Sequence, residues 1–172
     1  MSAPQHKILF RDPGHCIGQL DNVVIWISRG EIGPDEIDFG RRSFAHVSSL
    51  NPDGFAMLLH GHVGGTLPDE YALRELSRMF ADYRDELRVL SAEFGGAGLW
   101  ARAARTILRT MMLLARNPFP TGVFAQRQEA VAWLVEQVDP APPQQALGDA
   151  LDRILRVHAT TQSGERMVSK DI

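Results

Sequence analysis

Residues 87–125 read LRVLSAEFGGAGLWARAARTILRTMMLLARNPFPTGVFA, and this stretch decides the fold class. Its opening, Leu87 to Phe94, is apolar enough for a largely buried strand. Gly95-Gly96-Ala97-Gly98 then breaks the pattern. From Leu99 to Arg116 the apolar residues Trp100, Ala103, Ala104, Ile107, Leu108, Met111, Leu114 and Ala115 recur at helical spacing, with Arg102, Arg105, Arg109 and Arg116 toward the other side. That pattern predicts an amphipathic helix packed on a sheet. Asn117-Pro118 ends it, because the residue before a proline is pushed out of helical space, and 119–125 reads as another short strand.

The chain on either side extends this alternation. Lys7 to Arg11 is a short strand closed by the turn Asp12-Pro13-Gly14, and Val23-Val24-Ile25-Trp26-Ile27 is the most strand-like run in the protein. With a turn between them, these two are expected to be adjacent strands. Gly33-Pro34-Asp35-Glu36 opens a helix, its acids favoured by the helix dipole, with Ile37, Phe44 and Val47 inward and Gly40 as a weak point. After the turn Asn51-Pro52-Asp53-Gly54, the wholly apolar Phe55 to Leu59 predicts a central strand covered on both faces. Thr66 is placed to cap the next helix, which buries Ala72, Leu76, Met79, Phe80 and Tyr83. A further helix over 126–137 buries Ala130, Val131, Trp133 and Leu134. The order implies a mixed, mainly parallel α/β sheet with right-handed crossovers.

At 172 residues, the chain is long enough for one domain that buries roughly two-thirds of its unfolded surface. The domain is expected over 7–138, after a flexible start at 1–6. A Pro-rich linker at 139–143, one extra C-terminal helix at 144–159 and a flexible, polar tail at 160–172 follow. That last helix either folds back or packs on a second copy. Cys16 is the single cysteine, so no internal disulfide forms. The start of the chain lacks the pattern of a signal peptide, and no apolar run is long enough to span a bilayer, so a cytoplasmic protein is expected. A net charge of −3 and a pI near 6.0 argue against general nucleic-acid binding. The balance hides an asymmetry: no Asp or Glu lies between Phe94 and Gln128, where five arginines do.

Two opening strands followed by helix, strand, helix, strand, helix, strand, helix resembles the STAS domain, the fold of bacterial anti-sigma-factor antagonists of the SpoIIAA type. The resemblance covers roughly 7–138. It rests on the element order, the Val23–Ile27 strand, the strand, turn and helix at 87–115, and Phe119 to Phe124 before Glu129 to Leu134. It implies a non-catalytic regulatory or protein-interaction module. Switching members carry a phosphorylatable Ser or Thr in an Asp-Ser-Ser/Thr-Gly motif where the central strand feeds the second helix. Here that place reads LHGHVGGTLP from Leu59, so Thr66 is the candidate phosphoacceptor, without the flanking Asp and Ser.

The candidate ligand-binding residues are His60, His62, Gly65 and Thr66 in that loop, with Gly96, Gly98 and Arg102 at the later turn. Ligands settle at the carboxyl ends of strands in open parallel sheets, which is where both lie. His60 and His62 are also the metal candidates, since residues two apart on a strand share a face. A third ligand at a diagnostic spacing is missing; His46 or Asp69 would have to arrive by folding. No metal and no cofactor is therefore expected. Gly96-Ala97-Gly98-Leu99-Trp100-Ala101 fits the short dinucleotide fingerprint, but the next acid is Glu129 and the unit comes late in the chain. It reads instead as a close reversal of the chain, with a helix start where a bare anion can bind.

No catalytic set emerges. Ser43, Ser48 and Ser49 neighbour His46 only in sequence, and Cys16 has no basic partner to activate it. The protein is accordingly expected not to be an enzyme. It regulates through a protein partner, a second copy of itself included, or senses a small anionic, nucleotide or lipid-like ligand at the strand ends. A metal-dependent function at His60 and His62 is the third reading.

Overall fold

The structure, a computed structural model, describes residues 6–62, 64–115, 118–160, 167–170 and 172, the side chains of 114 and 115 excepted. The helical positions expected of Leu114, Ala115 and Arg116 thus fall outside what is described at side-chain level, as does most of the N-terminal segment and of the expected tail. The elements run β1 (His6–Arg11), β2 (His15–Leu20), β3 (Val23–Ser28), α1 (Pro34–Leu50), β4 (Phe55–Gly61), α2 (Glu70–Asp82), β5 (Leu87–Phe94), α3 (Leu99–Ala115), β6 (Thr121–Phe124), α4 (Arg127–Gln137), α5 (Gln144–Thr160) and β7 (Met167–Val168). Among the described residues the strands form one seven-stranded sheet in the order β6-β5-β4-β3-β2-β1-β7. Strands β3 to β6 are parallel, and β1, β2 and β7 join antiparallel. The expected class, a mixed α/β sheet with alternating helices and an added C-terminal helix, is the one observed.

From β3 to β6 every step moves one strand in the same direction. Right-handed crossovers then place α1, α2 and α3 together on one face. Their apolar stripes close a core with Trp26, Phe44, Met57, Phe80, Leu90 and Leu108. The opposite face would be bare without α4 and α5, which cover Ile25, Leu58 and Val89 with Val131, Leu134, Leu147, Leu151 and Ile154. β4 is buried on both sides, as its uniform apolarity predicts.

Three expectations need correction. The opening strands are three rather than two, and β2 separates β1 from β3, so the runs at 7–11 and 23–27 are not neighbours. His15-Cys16-Ile17-Gly18-Gln19-Leu20 reads poorly as a strand because of Gly18 and Gln19. Yet a Cβ at Gly18 would lie 2.5 Å from Ile154 Cδ1, so the glycine makes room for α5. The cap of α2 is Asp69, whose Oδ1 accepts from the Ala72 N–H at 2.8 Å, and not Thr66. Within the stretch expected as a flexible tail, Met167–Val168 pair with Arg11 and Phe10 as β7.

The helix beyond the linker folds back: α5 buries Leu147, Ala150, Leu151 and Ile154 on the sheet. Gly40, the weak point of α1, has a packing reason. A Cβ there would come within 2.7 Å of the Trp26 ring.

Candidate functional site

Parallel pairing brings the carboxyl ends of β3, β4 and β5 to one edge, where Ser28, Gly61 and Phe94 are register neighbours. Phe94 leans across Gly61; a Cβ on Gly61 would collide with Phe94 Cδ1, so only glycine admits the ring. Phe94 meets Trp100 edge to face, with centroids 6.2 Å apart. Trp100 Nε1 in turn donates to the Gly65 carbonyl, which ties the loop after β4 to the first turn of α3. The loop is also held from β3: Ser28 O accepts from the His62 N–H at 2.8 Å, and Arg29 O from the Thr66 N–H at 3.3 Å. Gly65 approaches Arg29 O so closely that a Cβ would lie 2.7 Å away.

Behind this loop lies a cavity of about 60 Å³, walled by Leu59, Leu76, Phe94, Trp100, Leu108 and other apolar groups, with Ser28 and Thr66 at its polar side. A larger groove of about 550 Å³ runs between α2 and α3, edged by Glu70, Arg74, Ser77, Thr106 and Thr110. Leu73, Ile107 and Met111 line both, so the groove and the cavity adjoin at these three side chains.

The histidines do not join this pocket. By strand alternation His60 shares the face of Ala56 and Leu58, toward α4 and α5, whereas the cavity lies toward α2 and α3. His60 Nδ1 is hydrogen-bonded to Glu93 Oε2, the register partner on β5, and the two residues are 9% and 5% exposed. The pair satisfies two ionisable groups that neither strand could bury alone. Glu93 is the residue that sequence reading missed. Its signal was a lone acid near the end of an apolar strand, matching the lone histidine of β4.

His62 follows the strand, half-buried, and its carbonyl accepts from the Gly65 N–H at 3.0 Å. Among the described residues no three His, Cys, Asp or Glu side chains converge as a metal-binding group. Asp69 is engaged as the α2 cap, and His46 lies in α1.

No family model matches the chain, and no curated protein matches it. Among solved structures it is similar to that of an uncharacterized protein from the DUF3478 family, with a SpoIIAA-like fold, from Shewanella loihica PV-4. The two are 14% identical, with 78% of this chain and 98% of that chain covered and a TM-score of 0.46. SpoIIAA-like is the fold that the element order of this sequence resembles.

The turn before α3 is held by an arginine. Arg105 Nη1 donates to Phe94 O at 2.6 Å and to Gly96 O at 3.1 Å, with Gly96 at φ 91°, a region that favours glycine. Gly98 and Arg102 are exposed, and Gly98 O accepts the Arg102 N–H at 3.1 Å. Around Gly98 a Cβ would meet nothing, so no close approach demands a glycine there. Arg109 Nη2 donates to Val123 O at 3.1 Å, covering the β6 edge. The structure therefore joins Gly65 and Thr66 with Trp100 and Phe94, leaves Gly98 and Arg102 at the surface, and sends His60 to the other face.

A second polar group sits at the same end of the sheet, reached by His158 of α5. His15 accepts from Trp26 Nε1 through Nδ1 at 3.4 Å, so its Nε2–H donates to Glu31 O at 2.9 Å. Asp12 Oδ1 accepts from the N–H groups of Gly14 and His15 at 2.7 and 2.6 Å. His158 of α5 is 3% exposed, with no partner for Nε2. Burial, foremost, and Arg29 hold its pKa below the ordinary histidine value, against the opposing effect of Pro13 and Asp12. Cys16 is fully buried, and burial pushes its thiol up to about 12, which leaves it protonated at neutral pH.

Proposed function

We propose that this protein is a non-catalytic regulatory module of the cytoplasm that takes an apolar, lipid-like ligand between α2 and α3 and acts through protein contacts. The observation that carries the reading is the shared wall of groove and cavity, formed by Leu73, Ile107 and Met111. An acyl chain lying in the groove rests on these apolar side chains, and its polar end meets the charged rim at Glu70 and Arg74. Pockets that bind small molecules have this composition, apolar walls with a few convergent polar groups. Thr66 stands at the rim and remains the candidate phosphoacceptor of the loop. A phosphate there would place charge beside the cavity and oppose apolar occupancy.

The placement of two reactive groups supports the non-catalytic reading. His60 is held by Glu93 on the far face, and Cys16 is protonated and enclosed. Neither meets the cavity.

Titration of the full chain with cis-parinaric acid tests the pocket. Saturable fluorescence enhancement is expected, and Ile107→Trp, which fills the wall common to groove and cavity, abolishes it while leaving the thermal midpoint of the protein near its original value. Absence of saturable binding, or equal binding by a folded Ile107→Trp chain, overturns the ligand assignment.

A further inference from the structure

The outward face of α3 carries two of the three large apolar side chains that stand exposed among the described residues. Leu99, Arg102, Thr106, Arg109, Thr110 and Leu113 are all exposed. At helical spacing they share an arc of roughly 100° and a length of about 21 Å. Leu99 is 86% and Leu113 78% exposed, one near each end of the helix. Two leucines left this open gain nothing in water. Between and beside them stand Arg102 and Arg109, in a segment where no acid occurs from 95 to 128, although the whole chain carries a net charge of −3.

The neighbouring helix is mixed in sign, with Glu70, Glu75 and Asp82 against Arg74 and Arg78, so the unopposed positive charge belongs to α3. On α2, Arg74 and Arg78 are about half and two-thirds exposed, while Glu75, which pairs with both, is shielded. Glu70 is the acid at the rim of the groove.

Exposed leucines flanked by arginines on one convex helix face match a bilayer interface. The leucines enter the boundary of the acyl chains, Arg102 extends to the headgroup phosphates, and the Arg109 guanidinium, held at Val123 O, brings its charge to the same surface. A protein partner that covered this face would need its own acidic and apolar relief, whereas an anionic membrane supplies both as a continuous surface. We propose that the Leu99 to Leu113 face of α3 docks on membranes rich in anionic headgroups. The groove edged by Thr106 and Thr110 then opens beside the lipid surface. This docking goes beyond the pocket assignment and does not require the groove to hold a ligand.

Vesicle co-sedimentation of the full chain decides the matter. The chain is expected to sediment with phosphatidylcholine vesicles that contain about one-third phosphatidylglycerol, not with pure phosphatidylcholine, and less so as salt is raised. Arg102→Gln with Arg109→Gln weakens binding about thirtyfold, the worth of two arginines at an anionic surface. Leu99→Ser with Leu113→Ser, both exposed and safe for folding, also reduces it. Arg153→Gln with Arg156→Gln removes the same charge from α5 on the opposite face and leaves binding intact. Equal sedimentation with both vesicle types, or an equal loss in the α5 variant, overturns the proposal. A chain that ignores both vesicles but changes oligomeric state in the leucine variant overturns it in favour of self-association.

Discussion

His60 and Glu93 are register partners on the neighbouring parallel strands β4 and β5, and their side chains meet through Nδ1 and Oε2 on the face covered by α4 and α5. Each is the partner that makes the other's burial tolerable. Glu93→Leu strands a ring N–H and is expected to cost about 1–3 kcal/mol in urea unfolding. Replacing both residues with leucine costs less than the sum of the single changes, because neither polar group is then orphaned. Additive single effects in a double-mutant cycle would show that the pair is not coupled.

Glycines at two helical positions should respond in opposite directions. Gly40→Ala drives a methyl into the Trp26 ring and toward Met79 Sδ, and is expected to destabilise the fold by about 1–3 kcal/mol. Gly148→Ala in α5 meets nothing within 4 Å, and gains about 0.4–1 kcal/mol by restricting the unfolded chain. Thermal midpoints of the two variants, measured side by side, check the signs.

His158 makes stability depend on pH. Its folded pKa lies below the ordinary value of 6.5, so below that pH the unfolded chain binds the proton first. Stability from this group is intact above the unfolded value and falls as pH drops through it, by at most about 1.4 kcal/mol per pH unit. The groups facing His158 are Arg29, His15 and Asp12, with the Pro13 backbone as a hydrogen-bond partner. Urea midpoints of the original chain should therefore fall more between pH 7.5 and pH 5.5, a range of about two units, than those of His158→Leu. Equal falls would assign the pH dependence elsewhere.

Cys16 reports unfolding. Enclosed by β1, β3 and the α5 layer, with its thiol pushed up to about 12, it should react with a disulfide reagent at mildly alkaline pH only when the sheet opens. The labelling rate is then expected to rise with urea along the unfolding curve. Fast labelling in native buffer would mean that α5 leaves the sheet locally.

What the residues determined by themselves was local. The apolar run at 55–59 made a central strand, the spacing from Leu99 onward made an amphipathic helix, and the acids after Gly33 opened α1, because these patterns act within a few residues. The tertiary structure decided what depends on distant neighbours. β2 exists because Cys16 to Leu20 are hydrogen-bonded on both sides and Gly18 yields space to Ile154, far along the chain. Asp69 rather than Thr66 caps α2, since Thr66 is held at the loop by Arg29 O. The pairing of His60 with Glu93 joins residues 33 apart in sequence. Strand register sets that meeting, and it also sends His60 to the face opposite the pocket at Thr66: a shift by one residue would reverse every side chain, and only the packed sheet selects which register holds.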